Sequence, residues 1–297
     1  MTLAAAHDNP LVVCILGKSR SGTSITARIV NLLGVTLGPD DELMPPAAGN
    51  NPKGFWEHKG IADLNERILA ALSDPPPQIR QAWRWPPPLR AGWELDERLV
   101  PLRQEARDLL RESFGDAPAW GWKDPRTCLT LPFWKQLVPE PHYVICVRHP
   151  LDVAASLEAR DAMPRDEALA LWLLYTSHAV LRTRGGRRLV VSHESYFPAW
   201  VAQAERLARF LDLPAIPAAQ RSAIADHLEE GLWHHRDGAR LDVSLGEEIA
   251  VLYAHLVAHG ESDAEAGPEA QAALDRAARR GVAAAARALG QERRLSG

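Results

Sequence analysis

Cysteine is scarce in this sequence and does not occur in the spacing of a metal or redox motif. The 297 residues contain three cysteines, Cys14, Cys128 and Cys146, with no C-x-x-C pair among them. Cys14 and Cys146 lie in strongly apolar runs, which is typical of thiols buried in a core. We therefore expect neither a disulfide framework nor a cysteine-ligated metal.

The sequence also lacks a long apolar run and a surplus of positive charge. No stretch approaches the ~20 apolar residues that a membrane-spanning helix needs, and residues 1–10 have no basic start. The formal net charge of −4 argues against a surface coated in basic residues for nucleic acid, although a local basic pocket stays open. We expect a soluble, cytoplasmic protein with no membrane span and no nucleic-acid partner.

Apolar residues, 46% of the chain, are sufficient for a sizeable core. Three short apolar runs, at 11–16, 142–147 and 188–193, each precede a helical pattern. Short buried strands that alternate with helices predict an α/β fold with a central parallel sheet and helices on both faces. We assign residues 1–297 to a single domain. Helices are predicted over 96–112, 166–183, 199–214 and 268–289.

Two long segments, 38–58 and 73–95, are dense in proline or glycine and resist regular structure. Loops of this length inside a compact domain are usually functional or disordered. Their tryptophans favour a role in covering a substrate pocket, because large aromatic side chains are poorly used in a solvated tail. Residues 261–297 are rich in alanine and charge, and we predict a linker followed by a helical tail.

A glycine-bearing loop, GKSRSGTS, follows the first strand at residues 17–24. Its two glycines have the spacing of the phosphate loop of nucleotide triphosphatases, but Thr23 stands where that loop carries its lysine. Positive charge comes instead from Lys18 and Arg20. The amides of residues 21–24, the helix dipole and two hydroxyl groups predict an anion site. A strand-to-helix turn without a ligand is the alternative.

A second basic motif, VICVRHPLDVAAS, occupies residues 144–156. Arg148 ends the strand, Pro150 opens a helix and Ser156 lies eight residues beyond the arginine. A guanidinium group and a hydroxyl group at the carboxyl end of a parallel strand can bind a second phosphate. Alternatively, Arg148 pairs with Asp152.

A third motif, WGWKDPRTCLTLPFW at residues 120–134, places Lys123 and Arg126 on either side of a turn-forming Asp-Pro pair. The motif precedes the 142–147 strand. It predicts either a surface cluster of salt bridges or an ammonium group delivered to the same mouth of the sheet.

In this order, the three motifs resemble those of the PAPS-dependent sulfotransferase family over about residues 11–236. GKSRSGTS is similar to the loop for the 5′-phosphosulfate, in its bacterial Arg-Ser-Gly-Thr form, and RHPLDVAAS to the motif for the 3′-phosphate. KDPR is similar to the lysine-bearing segment of the tyrosylprotein and bacterial branches. RLVVSHESY and ERLARFLDL resemble the strand and helix that follow the family's long central helix.

This resemblance implies a three-layer, P-loop-like fold that binds 3′-phosphoadenosine 5′-phosphosulfate (PAPS). It implies transfer of the sulfuryl group to a hydroxyl or amine of a small molecule or glycan, with release of 3′-phosphoadenosine 5′-phosphate (PAP) and no metal requirement. The residues implied to bind the donor are Lys18, Arg20, Ser21, Gly22, Thr23, Ser24, Arg148, Ser156, His193 and, in the late basic segment GLWHHRDG, Arg236.

For catalysis, the resemblance implies Arg20 and Lys123 at the leaving group and a base close to the mouth. Glu57 stands where bacterial members with an NPKGFWE-like segment carry their glutamate, and His58 is the second candidate. A glutamate that merely favours the start of a helix is the alternative reading of Glu57. The chain departs from the family at Ile25, where cytosolic members often have a stacking tryptophan, and at His193, where the family has a tyrosine.

Two other functions stay open at the level of sequence. One is a P-loop kinase or nucleotide hydrolase, which Thr23 in place of the lysine disfavours. The other is a non-catalytic protein that binds PAP or PAPS. None of the motifs identifies the acceptor or the oligomeric state.

Overall fold

The computed structural model describes residues 10–47, 54–74, 81–138, 140–228, 245–261 and 267–291, in which strands and helices alternate along most of the chain. The strands are β1 (Leu11–Leu16), β2 (Ala119–Lys123), β3 (His142–Val147) and β4 (Arg188–Ser192). The helices are α1 (Thr23–Leu32), α2 (Lys59–Ala71), α3 (Val100–Phe114), α4 (Thr127–Lys135), α5 (Pro150–Asp161), α6 (Arg165–Arg182), α7 (Tyr196–Phe210), α8 (Ala218–Leu228), α9 (Gly246–Glu261) and α10 (Pro268–Ala288).

The four strands form one parallel sheet in the order β2-β1-β3-β4. The predicted α/β fold with a parallel central sheet is confirmed, and so are its three predicted strands. The sequence does not predict β2, because Gly121 interrupts its apolar residues and Lys123 ends it. The strand pairs with β1 so that Lys123 lies beside Ile15.

Helices cover both faces of the sheet, and each face has its own core. Alternate side chains along β1 separate into the two cores, with Cys14 on one side and Val13 on the other. Helices α1, α7 and α8 contribute to the core around Val13. Seven helices, α2–α6, α9 and α10, contribute to the core around Cys14. The sheet and the helices on its two faces form the three predicted layers. Within the sheet, β1 and β3 are the two central strands.

The predicted helices are present, with shifted ends. The helix predicted over 96–112 is α3 and begins at Val100, because 3-10 turns occupy the residues just before it. The helix predicted over 199–214 is α7, which ends at Phe210. Helix α4 is not predicted by periodicity, because it is buried on nearly all sides and contains Pro132. The assignment of residues 1–297 to one domain stays a prediction.

The buried amide of Asn65 joins α2 to α4, the helix that follows the lysine-bearing turn. Its Nδ2 donates to Thr127 Oγ1 at 3.1 Å, and its Oδ1 accepts from Thr130 Oγ1 at 2.5 Å and from Trp134 Nε1 at 2.8 Å. All of these side chains are buried. A buried polar group is tolerated when it is hydrogen-bonded, so the four side chains depend on one another.

We predict that Asn65→Ala lowers the free energy of unfolding by about 2 to 4 kcal/mol, because it leaves buried donors without their acceptor. Urea denaturation followed by circular dichroism measures the loss. Arg67→Ala, on the same helix, is the control, since its ion pair with Glu105 is exposed and is worth less than ~1 kcal/mol. An Asn65 variant as stable as the Arg67 variant would contradict the structural role of the amide.

Candidate functional site

Three basic motifs meet at the carboxyl edge of the sheet. The 17–24 loop follows β1, Lys123 ends β2 and Arg148 follows β3. Because β1 pairs in parallel with both of the other strands, the three ends lie side by side. The sheet therefore brings the 17–24 loop, Lys123 and Arg148 together at one edge. We call this region the mouth of the sheet.

The backbone of the 17–24 loop requires its glycines. A Cβ at Gly17 would lie 2.6 Å from the carbonyl oxygen of Cys146, and the Gly17 amide donates to Cys128 Sγ at 3.2 Å. Gly22 has a left-handed conformation (φ 86°) and caps α1. Arg20 also has a positive φ, 76°, which is strained for a residue with a side chain. Strain of this kind is common in loops that bind ligands.

Arg20, Ser156 and Arg148 form one contiguous group. Arg20 Nε donates to Ser156 Oγ at 2.7 Å, and Arg148 Nη1 contacts the Arg20 carbonyl oxygen at 3.4 Å. The pairing of Arg148 with Asp152 is also present, at 3.7 Å. Burial lowers the pKa of both arginines from the ordinary value, and the nearby Arg160 adds to this effect at Arg20. The result is a buried guanidinium group beside a half-buried one, and an anion would stabilise both.

Lys123 contacts both the loop and the predicted base. Its Nζ donates to Glu57 Oε1 at 2.6 Å and to Ser24 Oγ at 3.3 Å. The lysine is 2% exposed. The Lys123 ammonium group can stabilise negative charge on a leaving group, and the Glu57 carboxylate can accept a proton. The two groups are in direct contact near the start of α1.

His58, the second candidate base, is held by other side chains. Its Nε2 lies 2.6 Å from Glu42 Oε2 and 3.2 Å from Ser113 Oγ. Burial lowers the pKa of His58 from its ordinary value, although Glu42 opposes the change. The two candidate bases thus lie in different surroundings. Glu57 contacts Lys123, whereas His58 contacts Glu42 and Ser113.

Lys18 points into an aromatic cage. Its Nζ lies 4.9 Å from the ring centre of Trp83 and 4.5 Å from that of Tyr175. Burial, together with Arg160 and Arg126, lowers the pKa of Lys18 to about 7. Its carbonyl oxygen accepts the Ser21 amide at 3.1 Å, so one of the amides predicted to face an anion is used inside the turn.

Two further predicted donor-binding residues are buried with polar atoms that have no partner among the described residues. Ser21 Oγ and His193 Nδ1 make no hydrogen bond there. Burial and the neighbouring Arg148 and Arg20 lower the pKa of His193 to about 3, so its ring is neutral at physiological pH. Orphaned hydrogen-bonding groups beside two cations are the feature expected of a site for a polar anionic ligand.

Gly22 caps α1, and Thr23, its first residue, is buried. Arg236 lies outside the described residues, as do the other residues of GLWHHRDG.

Two supporting carboxylates are not found by the sequence motifs. Glu194 accepts the His149 amide at 2.8 Å and the Ser192 hydroxyl at 2.5 Å, next to Arg148. The available signal is that Glu194 directly follows His193, one of the predicted donor-binding residues. Glu66 accepts from Arg126 Nε at 3.0 Å, and nothing in its helical sequence indicates the contact.

Arg126 itself is part of a buried ion-pair group with Asp124 and Glu66. Burial raises the pKa of Asp124 to about 6 even though Arg126 lies beside it. Of the two cations in KDPR, Lys123 therefore contacts the loop and Arg126 stabilises the turn.

Neither a membrane-spanning helix nor a metal cluster occurs in the part of the chain that the structure describes. No helix there has the length and apolar composition to cross a membrane. No group of three or more His, Cys, Asp or Glu side chains is placed there to hold a metal ion.

Comparison with known proteins gives likenesses in structure alone. No family model and no curated protein matches the chain. The sulfotransferase domain from the Synechococcus PCC 7002 olefin synthase is 18% identical, with 77% of this chain and 81% of that chain covered at a TM-score of 0.45. Sulfotransferase STF9 from Mycobacterium avium is 16% identical, with 76% and 70% covered at a TM-score of 0.45.

We predict that Gly22→Ala destabilises the protein more than Gly185→Ala. Both glycines have a positive φ, so alanine costs roughly 1 to 2 kcal/mol at either position. A Cβ at Gly22 would also lie 2.8 Å from His193 Cδ2, whereas Gly185 has open space. We expect an extra loss of about 1 kcal/mol in urea denaturation.

His193→Ala in the Gly22→Ala background tests the source of this extra loss. It should recover most of the difference between the two glycine variants, because it removes the ring that the new methyl group meets. Equal losses at Gly22 and Gly185 would contradict the close packing of His193 on the loop.

Proposed function

We propose that the protein is a PAPS-dependent sulfotransferase that acts on a hydroxyl or amine of a small molecule or glycan. The observation that carries the proposal is the continuous group formed by Arg20, Ser156 and Arg148, with Lys123 on the other side of the same loop. Two anion sites that share one mouth match a nucleotide with phosphate groups at both its 3′ and 5′ positions.

The residues divide between the two ends of the donor. We propose that the 17–24 loop and Lys123 bind the 5′-phosphosulfate and that Arg148 with Ser156 binds the 3′-phosphate. Ser21 Oγ and His193 Nδ1 have no hydrogen-bond partner in the part of the chain that the structure describes, which supports a polar ligand there. The basic groups supply the charge that a magnesium ion supplies to a triphosphate, so the proposed reaction includes no metal.

The proposed transfer uses Glu57 as the base. Bound PAPS supplies a sulfuryl group, whose bond to the 5′-phosphate oxygen breaks as a bond to the acceptor oxygen or nitrogen forms. Glu57 takes the proton of the acceptor, and the positive charges of Lys123 and Arg20 balance the charge that grows on the departing phosphate. PAP leaves with both electrons of the broken bond.

The contact of Lys123 with Glu57 fits this division of labour. At 2.6 Å the ammonium group neutralises the carboxylate while no donor is bound. A donor phosphate gives Lys123 a second anionic partner, and the carboxylate then becomes available to the acceptor. We also propose a cytoplasmic location, which is supported by three buried, free cysteines.

Isothermal calorimetry with PAP, followed by a screen of labelled PAPS against glycans, phenols, lipids and peptides, tests the proposed function. Micromolar binding of PAP and labelled product from at least one acceptor class are expected. Magnesium-dependent turnover of ATP without PAP binding would favour a kinase or hydrolase instead. Tight PAP binding without transfer to any acceptor would favour a non-catalytic binding protein.

We predict that Arg148→Ala weakens PAP binding by about 2 to 5 kcal/mol, a factor of roughly 25 or more, because a buried charge pair with phosphate is lost. Calorimetry measures the change. Arg280→Ala is the matched control, since this arginine lies exposed on α10 and pairs with Glu247. Equal PAP affinity in the Arg148 variant and the parent protein would remove Arg148 from the site.

We predict that Glu57→Gln keeps PAP affinity within a few-fold and lowers turnover by about 10²- to 10⁴-fold, because the amide cannot take the acceptor's proton. Labelled-sulfate transfer to an acceptor found in the screen measures turnover. Glu247→Gln, on the exposed surface, is the control. His58→Gln should keep turnover, and the reverse pattern at the two positions would make His58 the base.

A further inference from the structure

Residues 81–85, in the proline-rich 73–95 segment, form hydrogen bonds to two helices that surround the site. The Ala82 amide donates to Glu66 Oε1 at 2.5 Å, and the Trp83 carbonyl oxygen accepts from Tyr175 Oη at 2.6 Å. Arg84 makes a double contact with Glu167, at 2.6 and 2.9 Å. Successive residues of the segment thus bind α2 and α6.

The same segment also contacts the 17–24 loop, through Lys18. The Trp83 ring covers one side of the ammonium group and the Tyr175 ring another. Lys18 is 1% exposed. Because Tyr175 also holds the Trp83 carbonyl, the lysine, the tyrosine and the tryptophan form a closed set of contacts.

Lys18 differs from the other cations near the mouth in its partners. Arg126 pairs with Asp124, Arg160 with Asp161 and Arg84 with Glu167. For Lys18, by contrast, the described residues provide two aromatic faces and no ion pair. Its charge is therefore stabilised by the rings, and a desolvated cation–π contact is worth about 1 to 2 kcal/mol.

We propose that Lys18 is a positioning residue for the donor site, in which its stack with Trp83 and Tyr175 fastens the 17–24 loop to the 81–85 segment and holds the loop ready for a nucleotide with 3′- and 5′-phosphates. This inference rests on the proposed function. The reason that the loop needs an anchor is the backbone of Arg20. Its strained φ of 76° persists only if the surroundings hold the backbone in place. The Lys18 carbonyl closes the turn that contains Arg20, and its side chain provides an anchor outside the loop.

A double-mutant cycle tests the contact. Lys18→Met keeps the length of the side chain and removes the charge, and Trp83→Leu removes one ring. If the two side chains act together, each single variant weakens PAP binding about 10-fold and the double variant is little weaker than either one. Lys18→Arg should restore binding, because a guanidinium group also stacks on aromatic rings. Lys59→Met, at an exposed lysine, should bind PAP like the parent protein.

The cycle distinguishes positioning from direct contact with the donor. If Lys18 bound phosphate directly and independently of Trp83, the Trp83 variant would keep its affinity or the two losses would multiply, and either result would overturn the inference. Trp83→Phe keeps a ring and should keep most of the affinity. If the leucine variant does not fold, Trp83→Met, which fills more of the space without an aromatic face, takes its place in the cycle.

The pH dependence of PAP binding distinguishes a role of the Lys18 charge from a purely structural role. A structural role that did not need the charge would leave PAP affinity the same across the pH range in which the lysine loses its proton. Since the pKa of Lys18 lies at about 7, the cation is lost as the pH rises through neutrality, and with it the cation–π contact. The other charged groups near it are Arg160, Arg126 and Asp161. Burial raises the pKa of Cys128 to about 12, and the pKa of Tyr175 is also raised.

We predict that the PAP affinity of the parent protein falls about 3- to 12-fold between pH 7 and pH 9, as expected for the loss of one cation–π contact of about 1 to 2 kcal/mol by a lysine that is half neutral at pH 7. The phosphates of PAP are already ionised in this range. Lys18→Arg should show a flat profile at high affinity and Lys18→Met a flat profile at low affinity. A parent profile as flat as that of Lys18→Arg would contradict a role for the lysine charge.

Amide hydrogen exchange of residues 17–24 separates this inference from the proposed function, because it needs no ligand. Faster exchange in Lys18→Met and in Trp83→Leu, without further increase in the double variant, supports the contact even if PAP does not bind. Binding of PAP by the parent protein with unchanged exchange in both variants would leave the function standing and remove Lys18 as a positioning residue.

Discussion

Parallel pairing of β1 with a strand on each side is the constraint on which the candidate site depends. It brings the ends of β1, β2 and β3 to the same edge, so that a loop, a lysine and an arginine far apart in sequence become neighbours. Three segments of the chain then share one mouth. An antiparallel partner on either side would place its basic residue at the opposite edge of the sheet. The strand order and direction therefore determine which side chains meet at this edge.

Burial of positive charge is the second common feature of this region. Removing cations from water is unfavourable, and the chain limits the penalty by giving most of them a carboxylate, as in the pairs of Lys123 with Glu57 and of Arg126 with Asp124. Lys18 receives aromatic rings instead. Arg148 lies near Asp152, and Arg20 donates to the Ser156 hydroxyl group. An anionic ligand would add a further partner for both guanidinium groups, in agreement with the proposed donor.

Sequence patterns predict the parallel sheet and the strand, loop and helix of residues 11–32 well, because a buried strand followed by a glycine-bearing turn leaves a local signature in composition and spacing. The anion expected in the 17–24 loop stays a prediction. The patterns do not predict β2, whose apolar residues are interrupted by Gly121. They rank Glu57 above His58 only through the family resemblance. The surroundings of the two side chains depend on tertiary contacts with Lys123 and Glu42, which the local sequence does not reveal. The aromatic cage of Lys18 joins residues far apart in sequence, and no local rule could find it.

The short contact between the Glu57 carboxylate and the Lys123 ammonium has a consequence for the order of events under the proposed function. While these groups hold each other, an acceptor that arrives first must compete with an ammonium ion for the carboxylate. A donor that arrives first takes up the ammonium and leaves the carboxylate open. Under the proposed function, binding of the donor before the acceptor is therefore favoured. Water that enters the cleft before the donor meets a Glu57 carboxylate that is still paired with Lys123.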